Sequence, residues 1–170
     1  MSIKLIGAIM IAAGGAGIGA SMASAHRREE AALNQLAAAM SYMRSELEYH
    51  LLPLPELCRR TAGASSGVVA TVFNALAEEL ESQLAPDAGC CMYAALAKVP
   101  GLPRRLRKHL SGLGISLGRF DLKGQLNGLD AVCDACRRDM EEMALNRDQR
   151  LRGYQTLGLC AGCGLAILFL

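Results

Sequence analysis

The two ends of this 170-residue chain carry no charge over lengths close to the thickness of a membrane. Residues 5–25 form a run of 21 positions without Asp, Glu, Lys or Arg, and residues 153–170 form a run of 18. Because a helix rises about 1.5 Å per residue, such runs approach or match the bilayer's roughly 30 Å hydrocarbon core. The sequence therefore predicts membrane helices at 1–25 and 153–170, with a separate domain at 26–152.

A cleaved signal peptide is the alternative interpretation of the first segment. Lys4 precedes the apolar run, and Ala23-Ser24-Ala25 has the small-x-small form of a cleavage site. Against cleavage, Arg27 and Arg28 follow at once, and an exported soluble protein would not need a second span. These features favour an anchor.

The orientation follows from the basic residues that flank the two segments. Five arginines lie on the side of the central domain: Arg27, Arg28, Arg147, Arg150 and Arg152. The opposite side offers only Lys4 and the amino terminus. The positive-inside rule then places residues 26–152 in the cytoplasm and both termini outside.

The central domain has the apolar periodicity of helices throughout. One seam near its start has spacings of 3 and 4, at Leu33, Leu36, Met40, Met43 and Leu47. A second seam near its end repeats the spacing at Leu122, Leu126, Leu129, Cys133, Cys136, Met140 and Met143. No useful period-2 alternation occurs, so we expect an all-α fold: a small antiparallel bundle whose first and last helices are long and paired.

Proline, glycine and aspartate mark the predicted helix boundaries. Pro53 and Pro55 end the first helix, and Pro55 suits the first turn of the next one. Gly114 and Gly118 are predicted to permit a tight break before the last helix, and Asp121 is its expected N-cap.

Charge is distributed unevenly along the domain. Residues 26–87 hold nine acidic side chains against five arginines, whereas residues 98–123 hold seven basic side chains against one aspartate. Pairing within the bundle, head-to-tail assembly and ordinary solvated faces each explain this pattern. One basic cluster suits anionic lipid or an acidic partner as ligand, with an ordinary solvated helix as the alternative: Arg104, Arg105, Arg107 and Lys108. A net charge of +2 and only 4% aromatic residues disfavour nucleic acid as a partner.

Two Cys-x-x-Cys pairs have the spacing of zinc ligands. Cys133 and Cys136 fall on the apolar seam of a helix, whereas Cys160 and Cys163 lie in the second predicted span. In one continuous helix the pairs would stand roughly 40 Å apart, too far for a single ion. We therefore expect neither metal nor redox chemistry.

The remaining polar residues show no catalytic pattern. Cys90 and Cys91 are adjacent, so one thiol is predicted to be exposed. The three histidines have no neighbouring acid or nucleophile and are predicted to lie at the surface: His26, His50 and His109. Since no phosphate loop or nucleophile elbow occurs, the sequence predicts neither an enzyme nor a cofactor site.

Several motifs together resemble those of the stage III sporulation protein AB family. The first is Glu46-Leu47-Glu48-Tyr49, followed by Pro53-Leu54-Pro55-Glu56. A second run spans residues 113–125 and contains Gly114, Gly118, Asp121 and Gln125. The closing Tyr154-x-x-Leu157-Gly158, with Gly162, also resembles the family's last span. The similarity covers nearly the whole chain in the same order.

This resemblance implies a membrane component of the channel that joins mother cell and forespore during endospore formation. The family's helical domain is similar to the cytoplasmic domain of the type II secretion platform protein. The implied partners are a secretion-type ATPase, membrane-ring proteins of the same operon, membrane lipid and further copies of the chain. Glu46 and Glu56 become candidate partner contacts. The implied location is the mother-cell membrane around the forespore, and the alternative function is a helical adaptor of another secretion- or pilus-like machine.

Overall fold

The computed structural model describes the backbone of residues 2–50, 52–83, 85–117 and 121–169, and within these the side chains from 24 to 145. The described residues form six helices and no strands. Their bounds are Ser2–His50 (α1), Leu54–Ala64 (α2), Gly67–Ser82 (α3), Ala88–Lys98 (α4), Arg104–Ser116 (α5) and Leu122–Phe169 (α6). The predicted all-α fold is confirmed.

The chain divides into two compact units. One is the bundle of residues 29–140, and the other contains residues 1–28 and 141–170. Among the described residues, no helix combines the length and apolar character needed for a membrane crossing. The predicted spans 5–25 and 153–170 fall, apart from Ser24 and Ala25, outside the residues whose side chains are described.

The bundle is built around the apolar seam of α1. All five seam residues predicted for this helix are buried: Leu33, Leu36, Met40, Met43 and Leu47. Helices α2 to α5 pack in chain order, each against the next, and Phe73 of α3 is the largest fully buried side chain. In α6 the predicted seam is buried at Leu129 and Cys136, whereas Leu122 at the helix start is exposed. Burial of these side chains supplies the main stabilising free energy.

The paired first and last helices run antiparallel within the bundle. Arg44 Nε lies 3.0 Å from Asp130 Oδ1, in an ion pair without hydrogen-bond geometry. Earlier in α1 and later in α6, Cys133 Sγ lies 3.9 Å from the Ala37 carbonyl oxygen. From the first contact to the second, the residue number increases in α6 and decreases in α1, so the predicted antiparallel pairing is confirmed.

Most of the predicted helix boundaries are also confirmed. Helix α1 ends at His50, Pro53 occupies the N-cap of α2, and Pro55 lies in its first turn. The carboxylate of Asp121 caps α6 by accepting a 3.0 Å hydrogen bond from the Gly124 backbone N–H. The Gln125 backbone N–H donates to the Asp121 carbonyl oxygen at 3.0 Å, which closes the first turn.

Gly114 has a different role from the predicted one. Helix α5 continues through Gly114 to Ser116, so the chain does not break there. Gly114 is instead buried where α5 crosses α4. A Cβ atom at this position, as in alanine, would lie 3.4 Å from the Gly89 Cα atom. The prediction failed because the residue type alone does not distinguish a glycine that breaks a helix from one that lets two helices pack closely. Gly118 lies outside the described residues.

Candidate functional site

The turn between α1 and α2 brings the two predicted acidic contacts together. Arg60 of α2 donates from Nε to Glu56 Oε1 at 3.1 Å and from Nη1 to Glu46 Oε2 at 3.3 Å. The hydrogen bond to Glu56 raises the pKa of Arg60 above its usual value. Only 15% of the Glu46 side chain is exposed. Both carboxylates are engaged with Arg60: the bond to Glu56 lies within α2, whereas the bond to Glu46 joins α2 to α1.

Tyr49 is a large aromatic residue exposed at this turn, and its local sequence pattern did not mark it as a candidate contact. Its surface is 77% exposed. It follows Glu46 by three positions, and the neighbouring His50 Nδ1 lies 3.7 Å from Glu46 Oε2. The available sequence signal was its place in the Glu46-Leu47-Glu48-Tyr49 motif. An exposed tyrosine beside a fixed ion-pair cluster is typical of a protein-binding surface.

The predicted basic cluster of α5 divides into outward and inward groups. Arg104, Arg107 and Lys108 are exposed at spacings of 3 and 4, which places them along one side of the helix. Arg105 reaches instead toward α6, with Nη1 3.4 Å from Asp139 Oδ1, and toward α1, with Nε 4.0 Å from Glu29 Oε1. Arg105 therefore links three helices. We define the basic edge as Arg104, Arg107 and Lys108.

His109 joins Arg105 at Asp139, contrary to its predicted place on the surface. Its Nε2 lies 2.8 Å from Asp139 Oδ2, and only 10% of its side chain is exposed. The partner is 30 positions away in sequence, which is why no local pattern identified it. Asp139 thus holds two α5 side chains against α6.

Replacing Asp139 with alanine is expected to lower the free energy of unfolding by about 1.5 kcal/mol, because His109 loses its acceptor in a site that water reaches poorly. Asp134→Ala is the matched control, since Asp134 is an exposed aspartate of the same helix. Both changes raise helix propensity equally, so the difference between their free energies of unfolding reports the contacts of Asp139. Urea unfolding of the full chain in mild detergent measures these free energies. Equal stability of the two variants would contradict the role of Asp139.

Further ion pairs connect the acidic and basic parts of the bundle. Lys98 of α4 lies 2.7 Å from Glu79 and 4.0 Å from Glu78, both in α3. Its hydrogen bond to Glu79 raises the pKa of Lys98. Together with the contact of Arg105 to Glu29, these pairs show that part of the uneven charge is paired within the bundle. The basic edge belongs to the solvated part.

Four of the described thiols, Cys58, Cys90, Cys91 and Cys136, occupy environments that raise the pKa and favour the protonated form. Burial raises the pKa of Cys58 and of Cys136 to about 12. Cys90 is exposed and Cys91 is buried, as predicted, and the charge of Asp87 raises the pKa of Cys90. Because the thiolate is the nucleophile and metal ligand, these raised pKa values oppose thiol chemistry at neutral pH. Cys160 and Cys163 lie outside the residues whose side chains are described.

Four shorter helices between two helices of 48 and 49 residues define the chain as an all-helical bundle protein. The sequence model of the family "Stage III sporulation protein AB" matches residues 4–170, so the chain belongs to this family. A solved structure of a stage III sporulation protein AB has the same fold, with a TM-score of 0.63 and 21% identity. The similarity covers 72% of this chain and 98% of the solved one. Comparison with curated protein sequences found no match. Family membership assigns the chain a role in sporulation.

Proposed function

We propose that this protein is a non-enzymatic membrane component of the mother-cell-to-forespore channel. In this proposal the uncharged segments 5–25 and 153–170 anchor it in the outer forespore membrane, with residues 26–152 in the mother-cell cytoplasm. The bundle serves as an assembly platform that docks a secretion-type ATPase and connects it to membrane-ring proteins. Family membership and the flanking arginines support this assignment.

The long helices suit a platform because each contributes to both parts of the chain. Helix α1, Ser2–His50, contains the uncharged segment and also the buried seam that begins at Leu33. Helix α6, Leu122–Phe169, contains the second uncharged segment and the buried Cys136. A continuous helix resists bending more than a flexible linker does. Such helices would connect the proposed anchors directly to the docking domain.

The exposed Tyr49 is the observation that carries the docking proposal. It lies 24 residues after Ala25, which corresponds to about 36 Å along a helix. In the proposed topology, Tyr49 would therefore belong to the cytoplasmic domain, well past the first anchor along the chain. The side chain offers an amphipathic ring, and the bond of Arg60 to Glu46 joins α2 to α1 one turn before it. Exposed tyrosine on a rigid support is a favoured anchor in protein interfaces.

A photo-cross-linking amino acid in place of Tyr49 tests this docking surface in sporulating cells. We expect a cross-link to the secretion-type ATPase encoded in the same operon, identified by mass spectrometry. Tyr93 of α4 is the matched control because it is also an exposed tyrosine, with 60% of its surface accessible. The same substitution at Tyr93 is expected to give no such product.

Absence of the ATPase from the Tyr49 products, with both variants still forming spores, would contradict docking at this turn. A cross-link to the ATPase from Tyr93 alone would move the docking surface to α4. Membership of the sporulation family would be unaffected by either result.

A further inference from the structure

We propose that the basic edge of α5, formed by Arg104, Arg107 and Lys108, binds the headgroups of anionic phospholipids. The inference rests on the membrane anchoring proposed above. It assigns to these residues a ligand of stated chemistry, a lipid phosphate at the membrane surface, rather than the protein partner proposed for Tyr49.

The charges of the basic edge are not compensated within the described part of the chain. Helix α5, Arg104–Ser116, contains no acidic residue. Two acidic residues of neighbouring helices contact α5 at other side chains: Asp139 contacts Arg105 and His109, and Glu29 contacts Arg105. Arg104, Arg107 and Lys108 form no ion pair with any described residue. Three exposed cations on one side of a helix present a positive surface to an anionic one.

The position of α5 in the bundle favours lipid over a protein. Arg105, in the first turn of α5, contacts Glu29 and Asp139. Glu29 is the first residue of the bundle unit, and Asp139 is its next-to-last residue. The basic edge therefore lies at the end of the bundle where the chain enters and leaves. Glu29 follows the predicted span by only four residues, about 6 Å along a helix. If the span anchors the chain as proposed, cations at this end of the bundle come within range of the membrane surface, where Lys and Arg interact with anionic lipids.

The expected strength is sufficient to measure. Each Lys or Arg near an anionic membrane surface strengthens binding about fivefold, so three of them give roughly a hundredfold if their effects are additive. Docking would cover the first turn of α5, whose leading backbone N–H groups have no partner within the helix and exchange rapidly with solvent. Hydrogen exchange at this turn is therefore a sensitive measure of lipid contact.

The test compares the full chain in two kinds of lipid nanodisc, one of phosphatidylcholine alone and one with added phosphatidylglycerol. We expect the anionic lipid to slow exchange in a peptide covering residues 102–109 by roughly tenfold or more, given the additive estimate. High salt should remove the effect. The variant Arg104→Gln/Arg107→Gln/Lys108→Gln should show no lipid dependence, whereas the charge-preserving control Arg104→Lys/Arg107→Lys/Lys108→Arg should retain it.

The outcomes separate this inference from the proposed function. A chain that enters the nanodiscs but exchanges equally in both lipids contradicts the lipid contact and leaves the anchoring intact. A chain that does not enter the nanodiscs contradicts the anchoring and this inference together. Equal lipid dependence of the glutamine variant and the wild-type chain would also overturn the assignment to the basic edge. Unchanged exchange in α3 of every variant verifies that the bundle is folded.

Discussion

Cells that lack this protein are expected to grow normally but to stop spore development after the forespore is engulfed. The reason is that the proposed channel would lose the platform that joins its ATPase to the membrane rings. Heat-resistant colony counts should therefore fall to background, and a reporter of late forespore gene expression should remain inactive. This is the largest effect that we expect from any change.

Complementation separates the role of the protein from that of individual side chains. The wild-type chain should restore spores, and Tyr93→Ala should do the same. Tyr49→Ala should restore them poorly although the protein is made at a normal level, because the docking surface is changed. A growth defect with normal spore formation would contradict the channel assignment and favour an adaptor in another secretion- or pilus-like machine.

Gly114→Ala is expected to lower the free energy of unfolding by about 2–3 kcal/mol, the upper range for overpacking a well-packed site. The new Cβ atom would lie 2.6 Å from the Met92 Cβ atom, a distance at which α4 and α5 must separate. Rotation of the Met92 side chain does not relieve the overlap, because its Cβ position is set by the backbone. Urea unfolding of the full chain in mild detergent measures the loss.

Gly112 supplies the matched control in the same helix. A Cβ atom placed on Gly112 has no other atom within 4 Å, so Gly112→Ala adds helix propensity without overlap. We expect this variant to be as stable as the wild-type chain or slightly more stable. If Gly114→Ala were equally well tolerated, the close crossing of α4 and α5 would be refuted.

The parts of the fold that sequence predicts are those that depend on local rules. The α1 seam from Leu33 to Leu47 is buried because a period of 3 and 4 places side chains on one face whatever the partner is. Pro55 and Asp121 mark helix starts because their effects act within one turn of the chain. Local chemistry is sufficient for such features.

Long-range contacts explain what sequence did not predict. Arg105 and Arg107 are two positions apart, yet one pairs with Asp139 and the other is exposed, because the helix turns them to different neighbours. His109 depends on the same distant partner. For the predicted basic cluster, sequence identifies which side chains are charged but not which of them are exposed. Only the packing of α5 against α6 determines which cations remain free for a ligand.

The proposed cytoplasmic position of the bundle is tested most directly by a reporter that is active only in the cytoplasm. Inserted between α3 and α4 near Asp87, the reporter should be active, and fused after Leu170 it should be inactive. Export of the Asp87 insertion would contradict the orientation and the docking of a cytoplasmic ATPase. Recovery of a mature chain that begins at His26 would contradict the first anchor and establish a signal peptide instead.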